Sequence, residues 1–244
     1  MRLFTTAVLI IHGFSGSVSD SEYLINELEM DPSIDMFFVT LTGHDRPILY
    51  CGDCNQWIED AEKVYKKIRK SYKNVIVIGH SMGGIIATHI ATKYNPKKLI
   101  LISPAFEYFN SSQIKKDITN FTKLKELIAD YENPNAYQMF GAKLITTTRK
   151  ARIEFKKLVK MHKEDIKYVK CPTLLIHGTI DEVVPISSSI YAYENLNIDK
   201  KYFCTMENIR HIPQKSEKKD IAIDLVHRFI KGGSQWKEKN KFTK

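Results

Sequence analysis

The chain has 244 residues, 43% of them hydrophobic, which is enough apolar material for one substantial core, and α/β folds of this length are commonly single domains. The longest early apolar run, Ala7 to Ile11, is too short for a signal-peptide core, and no segment approaches the 18 apolar residues of a membrane span. A cytoplasmic protein is the resulting expectation.

The formal charge of +9 raises the question of nucleic acid, but the excess is regional. Residues 1–102 carry 11 basic and 11 acidic side chains, residues 103–168 carry 13 and 8, and residues 169–244 carry 13 and 9. No RNP, zinc-finger or helix-turn-helix signature accompanies it, so solvated helix faces account for the lysines and no nucleic-acid partner is expected. Salt-sensitive peripheral contact with anionic lipid through the basic middle block, by a monomer or homodimer, is the partner expectation beyond a small-molecule substrate.

In chain order, short β-branched runs alternate with helical patterns. The sequence predicts strands over 5–13, 36–43, 74–81, 97–103, 171–178 and 201–207, several almost continuously apolar, as strands buried on both faces are. Helices are predicted over Ser21–Glu29, Cys54–Ser71, Ser81–Tyr94, Ser187–Leu196 and Lys215–Lys231, the second with Trp57, Ala61, Val64, Tyr65 and Ile68 along one stripe. Strict alternation of this kind calls for an α/β fold with a mainly parallel sheet of about six strands flanked by helices.

One interval breaks the rhythm. Residues 104–168 lack a strong strand but contain helical runs such as "QIKKDITNFTKLKELIADY" and "RKARIEFKKLVKMHKED", and a structureless loop of that length is improbable. They are expected to form a helical cap inserted into a core made of 1–103 and 169–231, followed by a basic tail, 232–244. In the cap, Ile114, Ile118, Phe121, Leu124, Leu127, Ile128 and Tyr131 recur near helical spacing, mostly as packing residues, with some left to line an acyl pocket.

The cysteines are Cys51, Cys54, Cys171 and Cys204. "CGDC" has redox spacing, but a zinc site would need a second comparable pair, which is lacking. Two thiols in a loop before a helix is the favoured reading, and Cys171 and Cys204 sit in apolar runs where thiols act as small hydrophobes.

Chemistry concentrates where strands end, the edge at which open parallel sheets bind ligands. "IGHSMGG" carries GxSxG, which would arise by chance in roughly 8% of chains this long at ordinary Gly and Ser usage. Its context sharpens it, because the motif closes a strand and opens a helix, as a nucleophile elbow does. A serine oxygen is a weak nucleophile at neutral pH and needs a base held by an acid. Of the eight histidines, His211 in "NIRHIP" follows the final strand in a short loop and is the expected base. Asp181 in "HGTIDEVVP" is the expected acid, with Glu182 the second choice.

The order Ser81, Asp181, His211 is that of the α/β-hydrolases. With "IHGFSGS", "LTGHD", "IGHSMGG" and "LLIHGTIDEVVP" in succession, the sequence resembles that superfamily over residues 5–231, and within it the small bacterial carboxylesterases and monoacylglycerol lipases. The resemblance implies an oxyanion hole made by the backbone N–H groups of Phe14 and Met82. It also implies acyl transfer from short- to medium-chain esters or monoacylglycerols, with no cofactor and no metal required. His44 and Arg210 stand where relatives often carry smaller residues, which bears on the shape and charge of the pocket. An acyl thioesterase shares the same triad, as would any other serine hydrolase of the fold. Serine at 81 argues against the dehalogenases and epoxide hydrolases, which use aspartate. A non-catalytic binding protein on the same scaffold is disfavoured because all three candidates are present.

Overall fold

The computed structural model describes residues 2–44, 52–108 and 148–232. The expected cap stripe from Ile114 to Tyr131, Cys51 and the tail from residue 233 onward lie outside the described residues. Six strands, β1 (Arg2–Ile11), β2 (Ile34–Val39), β3 (Tyr72–His80), β4 (Lys98–Ile102), β5 (Thr173–Gly178) and β6 (Lys201–Met206), form one sheet in the order β2-β1-β3-β4-β5-β6. Every neighbouring pair is parallel.

The helices are α1 (Glu22–Glu29), α2 (Cys54–Ser71), α3 (Met82–Tyr94), α4 (Arg149–His162), α5 (Ser187–Asn195) and α6 (Lys219–Lys231). Alternate residues of each strand serve opposite faces. Leu9, Ile11, Val75, Val77, Leu99, Leu101 and Leu175 meet α2, α3, α4 and α5, whereas Val8, Ile10, Ile76, Ile78, Ile100, Ile102 and Ile176 meet α1 and α6. Burial on both faces is why these runs read as continuously apolar. The chain moves outward from β1 to β2, then returns past β1 to β3. With right-handed crossovers, that reversal sends α1 to one face and α2 and α3 to the other.

Local chemistry sets several boundaries. At the start of α2 the Asp53 carboxylate accepts from the Asn55 and Gln56 N–H groups at 2.8 and 3.0 Å, and the Gln56 side chain accepts in return from the Asp53 N–H at 3.0 Å. This reciprocal box satisfies helix-end donors that otherwise lack partners. At the other end α2 runs directly into β3, with Tyr72 already extended. The helix expected over Ser21–Glu29 starts later, because Val18–Ser21 forms a 3₁₀ turn before it. The last helix likewise begins at Lys219 instead of Lys215, since Pro213 nucleates a separate 3₁₀ turn through Lys215. The strand expected over 36–43 ends at Val39, and the one over 5–13 begins at Arg2 and ends at Ile11, which frees His12 and Gly13 for the loop beyond.

The far end of the interval between β4 and β5 belongs to the core layer. Ala151, Phe155, Leu158 and Val159 of α4, with Ile166 of the 3₁₀ segment Lys163–Tyr168, join the same buried cluster as Trp57 and Ile86. Ala105 and Phe106 are buried in it too. Among the described residues no helix is long and apolar enough to cross a membrane.

Two substitutions test this account by chemical denaturation. Asp53→Ala should cost about 1 kcal/mol as the capping box is lost. Gly83→Ala should cost about 1–3 kcal/mol or more, because its Cβ would stand 2.2 Å from the Ile11 carbonyl oxygen and 2.5 Å from that of His12.

Candidate active site

The strand ends at the carboxyl edge hold most of the backbone strain in the described chain. Ser15, Ser81, Ser103 and Asn208, all just past a strand, adopt positive φ without being glycine; the fifth such residue, Asn95, closes α3. Strain of this sort persists only where surrounding structure holds it, and it gathers at functional sites.

Ser81 is the junction of β3 and α3, with φ 55° and ψ −120°. Its N–H donates to the Ile102 carbonyl at 2.9 Å, and its own carbonyl accepts from Gly84 and Ala105 at 2.9 and 3.2 Å. The turn is tight enough that a Cβ on Gly79 would lie 2.4 Å from the Gly83 carbonyl oxygen. Met82 opens α3, so its N–H belongs to the helix-terminal donors that have no intrahelical acceptor. Across from it, Gly13 approaches so closely that a Cβ there would be 3.0 Å from the Ser81 Cβ. Phe14 follows directly, in a turn closed by Gly16 N–H donating to the Gly13 carbonyl at 3.0 Å. The two loops expected to supply oxyanion donors are therefore adjacent.

Asp181 and His211 come together from different loops, with His211 Nδ1 donating to Asp181 Oδ2 at 2.8 Å, both side chains 1% exposed. The other carboxylate oxygen accepts from the Val183 and Val184 N–H groups at 2.9 and 2.8 Å. Gly178 makes this meeting possible, since a Cβ there would strike the Ile209 carbonyl oxygen at 2.1 Å and push the His211 loop off the end of β5. Glu182, the second choice for the acid, instead faces Arg210, whose guanidinium lies 3.9 Å from its carboxylate. Burial raises the Glu182 pKa. Arg210 is thus matched to a neighbouring acid.

Two further histidines, His177 and His80, surround this pair, each beside a glycine at the end of a strand. His177 Nε2 lies 3.2 Å from Asp181 Oδ2 and donates to the Val184 carbonyl at 3.1 Å, while its Nδ1 accepts from the Ser189 hydroxyl at 2.7 Å. His80 Nε2 donates to the His211 carbonyl at 3.1 Å, with the two ring centroids 4.9 Å apart. The available signal was positional: each sits one residue from a strand-end glycine, and His177 is four residues before Asp181.

Electrostatics separate the groups. Burial alone would raise the Asp181 pKa, but His211 and His177 outweigh it and hold the carboxyl far below the ordinary range. Burial opposes charge on His211, yet the Asp181 carboxylate prevails and raises its pKa. His80 goes the other way, down to about 4, because it is buried and next to His211. In the loop after β1, Phe14 stacks on Phe155 of α4 at 4.9 Å, and Tyr108 also stacks on Phe155, at 5.2 Å. His44 packs against His12, Phe14 and Trp57. Cys54 is a buried thiol whose pKa is pushed up to about 11 by burial and by Glu154, unlike a reactive redox cysteine.

The serine aminopeptidase S33 family matches residues 5–217. The chain belongs to this family of α/β-hydrolases, and it is a hydrolase. It is 32% identical over 201 residues, 68% of this chain and 72% of the relative, to a pimeloyl-[acyl-carrier protein] methyl ester esterase of Wigglesworthia glossinidia brevipalpis. It is 21% identical over 211 residues, 84% of this chain and 82% of the relative, to a thermostable monoacylglycerol lipase of Bacillus sp. strain H-257. The crystal structure of the Paleococcus ferrophilus monoacylglycerol lipase superposes with a TM-score of 0.70 at 15% identity, covering 93% of this chain and 96% of that one. At that identity the likeness concerns the fold, which is the six-stranded α/β-hydrolase arrangement expected from the sequence.

Histidine NMR titration checks the electrostatics. His211 should protonate above the ordinary histidine value and fall in Asp181→Asn, while His80 should remain neutral until the pH approaches about 4. A His211 pKa that does not move in Asp181→Asn contradicts the pairing.

Proposed function

We propose that this hydrolase is a serine carboxylesterase acting on short- to medium-chain carboxylic esters or monoacylglycerols. The observation that carries the reading is the buried Asp181–His211 pair at the sheet edge where Ser81 occupies a strained strand-to-helix turn. In this mechanism Ser81 Oγ attacks the ester carbonyl as His211 takes its proton, and Asp181 stabilises the imidazolium. The N–H groups of Phe14 and Met82 receive the oxyanion, a contribution of roughly 100- to 1000-fold per donor in comparable sites. His211 then protonates the departing alcohol and activates the water that releases the acid. Each step uses side chains and backbone donors alone.

The substrate class is supported by the relatives, a methyl ester esterase and a monoacylglycerol lipase. The apolar stack of Phe14, Phe155 and Tyr108 beside the oxyanion loop suits an acyl chain. In the same reading the segment between β4 and β5 caps the site, anchored through α4.

Ser81→Ala, His211→Ala and Asp181→Asn should each lower p-nitrophenyl ester turnover about 10⁴-fold or more while circular dichroism stays unchanged. Labelling by a fluorophosphonate should vanish in Ser81→Ala. Full turnover in Ser81→Ala would sink the mechanism. Faster turnover of acyl-CoA than of monoacylglycerols of equal chain length would reassign the enzyme as a thioesterase.

The free-enzyme profile of kcat/KM carries a further sign. Because the base must be neutral and its pKa is raised, activity should fall as the pH drops through a value above the ordinary histidine range.

A further inference from the structure

About 12 Å along α3 from Ser81, at a rise of 1.5 Å per residue, lies a second cluster of titratable groups that the proposed reaction does not use. His89 of α3, His162 at the end of α4 and Asp165 of the following 3₁₀ segment each offer one ligand atom, and these atoms all lie within 4.8 Å of one another. His162 Nδ1 and His89 Nδ1 stand 2.9 and 3.2 Å from the same oxygen, Asp165 Oδ2. A tetrahedral ion with bonds of about 2.0–2.1 Å holds its ligand atoms about 3.3 Å apart, close to these separations.

The surroundings match what a metal-ligating histidine requires. The other nitrogen of His89, Nε2, faces the Glu62 carboxylate at 3.0 Å, and ligating imidazoles usually donate their second N–H to such a partner. Glu62 is itself fixed by Lys93 Nζ at 2.5 Å, Tyr94 OH at 2.7 Å and Lys66 Nζ at 3.1 Å. Despite burial, these partners and His89 keep its carboxyl ionised, with a pKa of about 2. Asp165 is tethered by Thr92, whose hydroxyl donates to its backbone carbonyl at 3.0 Å. In the metal-free state both nitrogens of His89 face carboxylates, so the ring must carry two protons. An ion entering between the three ligand atoms displaces the Nδ1 protons of both His89 and His162 to water, with His89 keeping its Nε2–H on Glu62 and His162 remaining as its neutral Nε2–H tautomer.

We propose that His89 Nδ1, His162 Nδ1 and the Asp165 carboxylate form a binding site for a borderline divalent transition-metal ion of the Zn²⁺ class, completed by water. Two imidazoles and one carboxylate select such ions over Mg²⁺ and Ca²⁺, which prefer sets made of oxygen alone. The ligands come from α3 on one side and from the α4 segment on the other, so the ion staples the return arm of the β4–β5 interval to the core. Its part is structural: at that distance along α3 it touches no reacting atom.

The test uses the full chain after chelator treatment, with Co²⁺ and Zn²⁺ as probes. Co²⁺ should give visible d–d absorption saturating at one equivalent and be displaced by Zn²⁺. His162→Gln, at the C-terminal end of α4, should weaken binding at least tenfold, as should Asp165→Asn, with the fold of each checked by circular dichroism. A Cys51→Ser/Cys54→Ser double variant should bind as the parent does, separating this site from the thiols. Zn²⁺ at 100 times its Kd should raise the parent Tm by about 5–10 °C, reversibly with EDTA. The same addition should leave the Tm of His162→Gln unchanged. No saturable stoichiometric binding, equal binding by His162→Gln, loss only in the cysteine variant, or an equal response to Mg²⁺ would each overturn the proposal.

Discussion

There is no room for a side chain where α3 meets the end of β1. A Cβ on Gly83 would sit inside contact distance of the Ile11 and His12 carbonyl oxygens, and one on Gly79 would strike the Gly83 carbonyl. This close approach brings the first turn of α3 against the loop after β1, and it holds Ser81 in a backbone conformation that non-glycine residues otherwise avoid. A looser junction would let Ser81 relax toward an ordinary helix start. Gly13 would then no longer lie against the serine, and the loop that carries Phe14 would draw away from the first turn of α3.

A second constraint is electrostatic and works from the other half of the chain. Asp181 is nearly inaccessible, and burial alone would favour its neutral form. Two histidines and two backbone N–H groups reverse that preference. The carboxylate is consequently saturated with partners, and its freedom to turn is small. His80 completes the arrangement from beneath, holding the backbone of His211 as a neutral donor. The three histidines thus divide their roles by environment: one is raised by a carboxylate, one is lowered by burial, and one spans a carboxylate oxygen and a carbonyl.

Legibility in the sequence varied with the range of the interactions responsible. The six strands could be read because burial on both faces leaves unbroken apolar runs, and α2 because Trp57, Ala61, Val64, Tyr65 and Ile68 fall along one stripe. Boundaries were missed where a 3₁₀ turn precedes a helix, at Val18–Ser21 and Pro213–Lys215, since a 3₁₀ turn keeps helical composition while changing hydrogen-bond spacing. The position of α4 was also hidden. Its amphipathic pattern specifies a helix with one apolar face, and cannot specify that Phe155 meets Phe14 in the core layer.

Taken alone, the sequence determined the α/β alternation, the order Ser81, Asp181, His211 and the glycine-flanked turn, because periodicity and turn chemistry are local properties. Only the tertiary structure decided that His177 and His80 serve the Asp181–His211 pair, and that His89, His162 and Asp165 converge around a single carboxylate oxygen. Those groups are separated by up to 131 residues in the chain. What unites them is the direction of the strands and the packing of α4 on α3, and no short-range pattern encodes either.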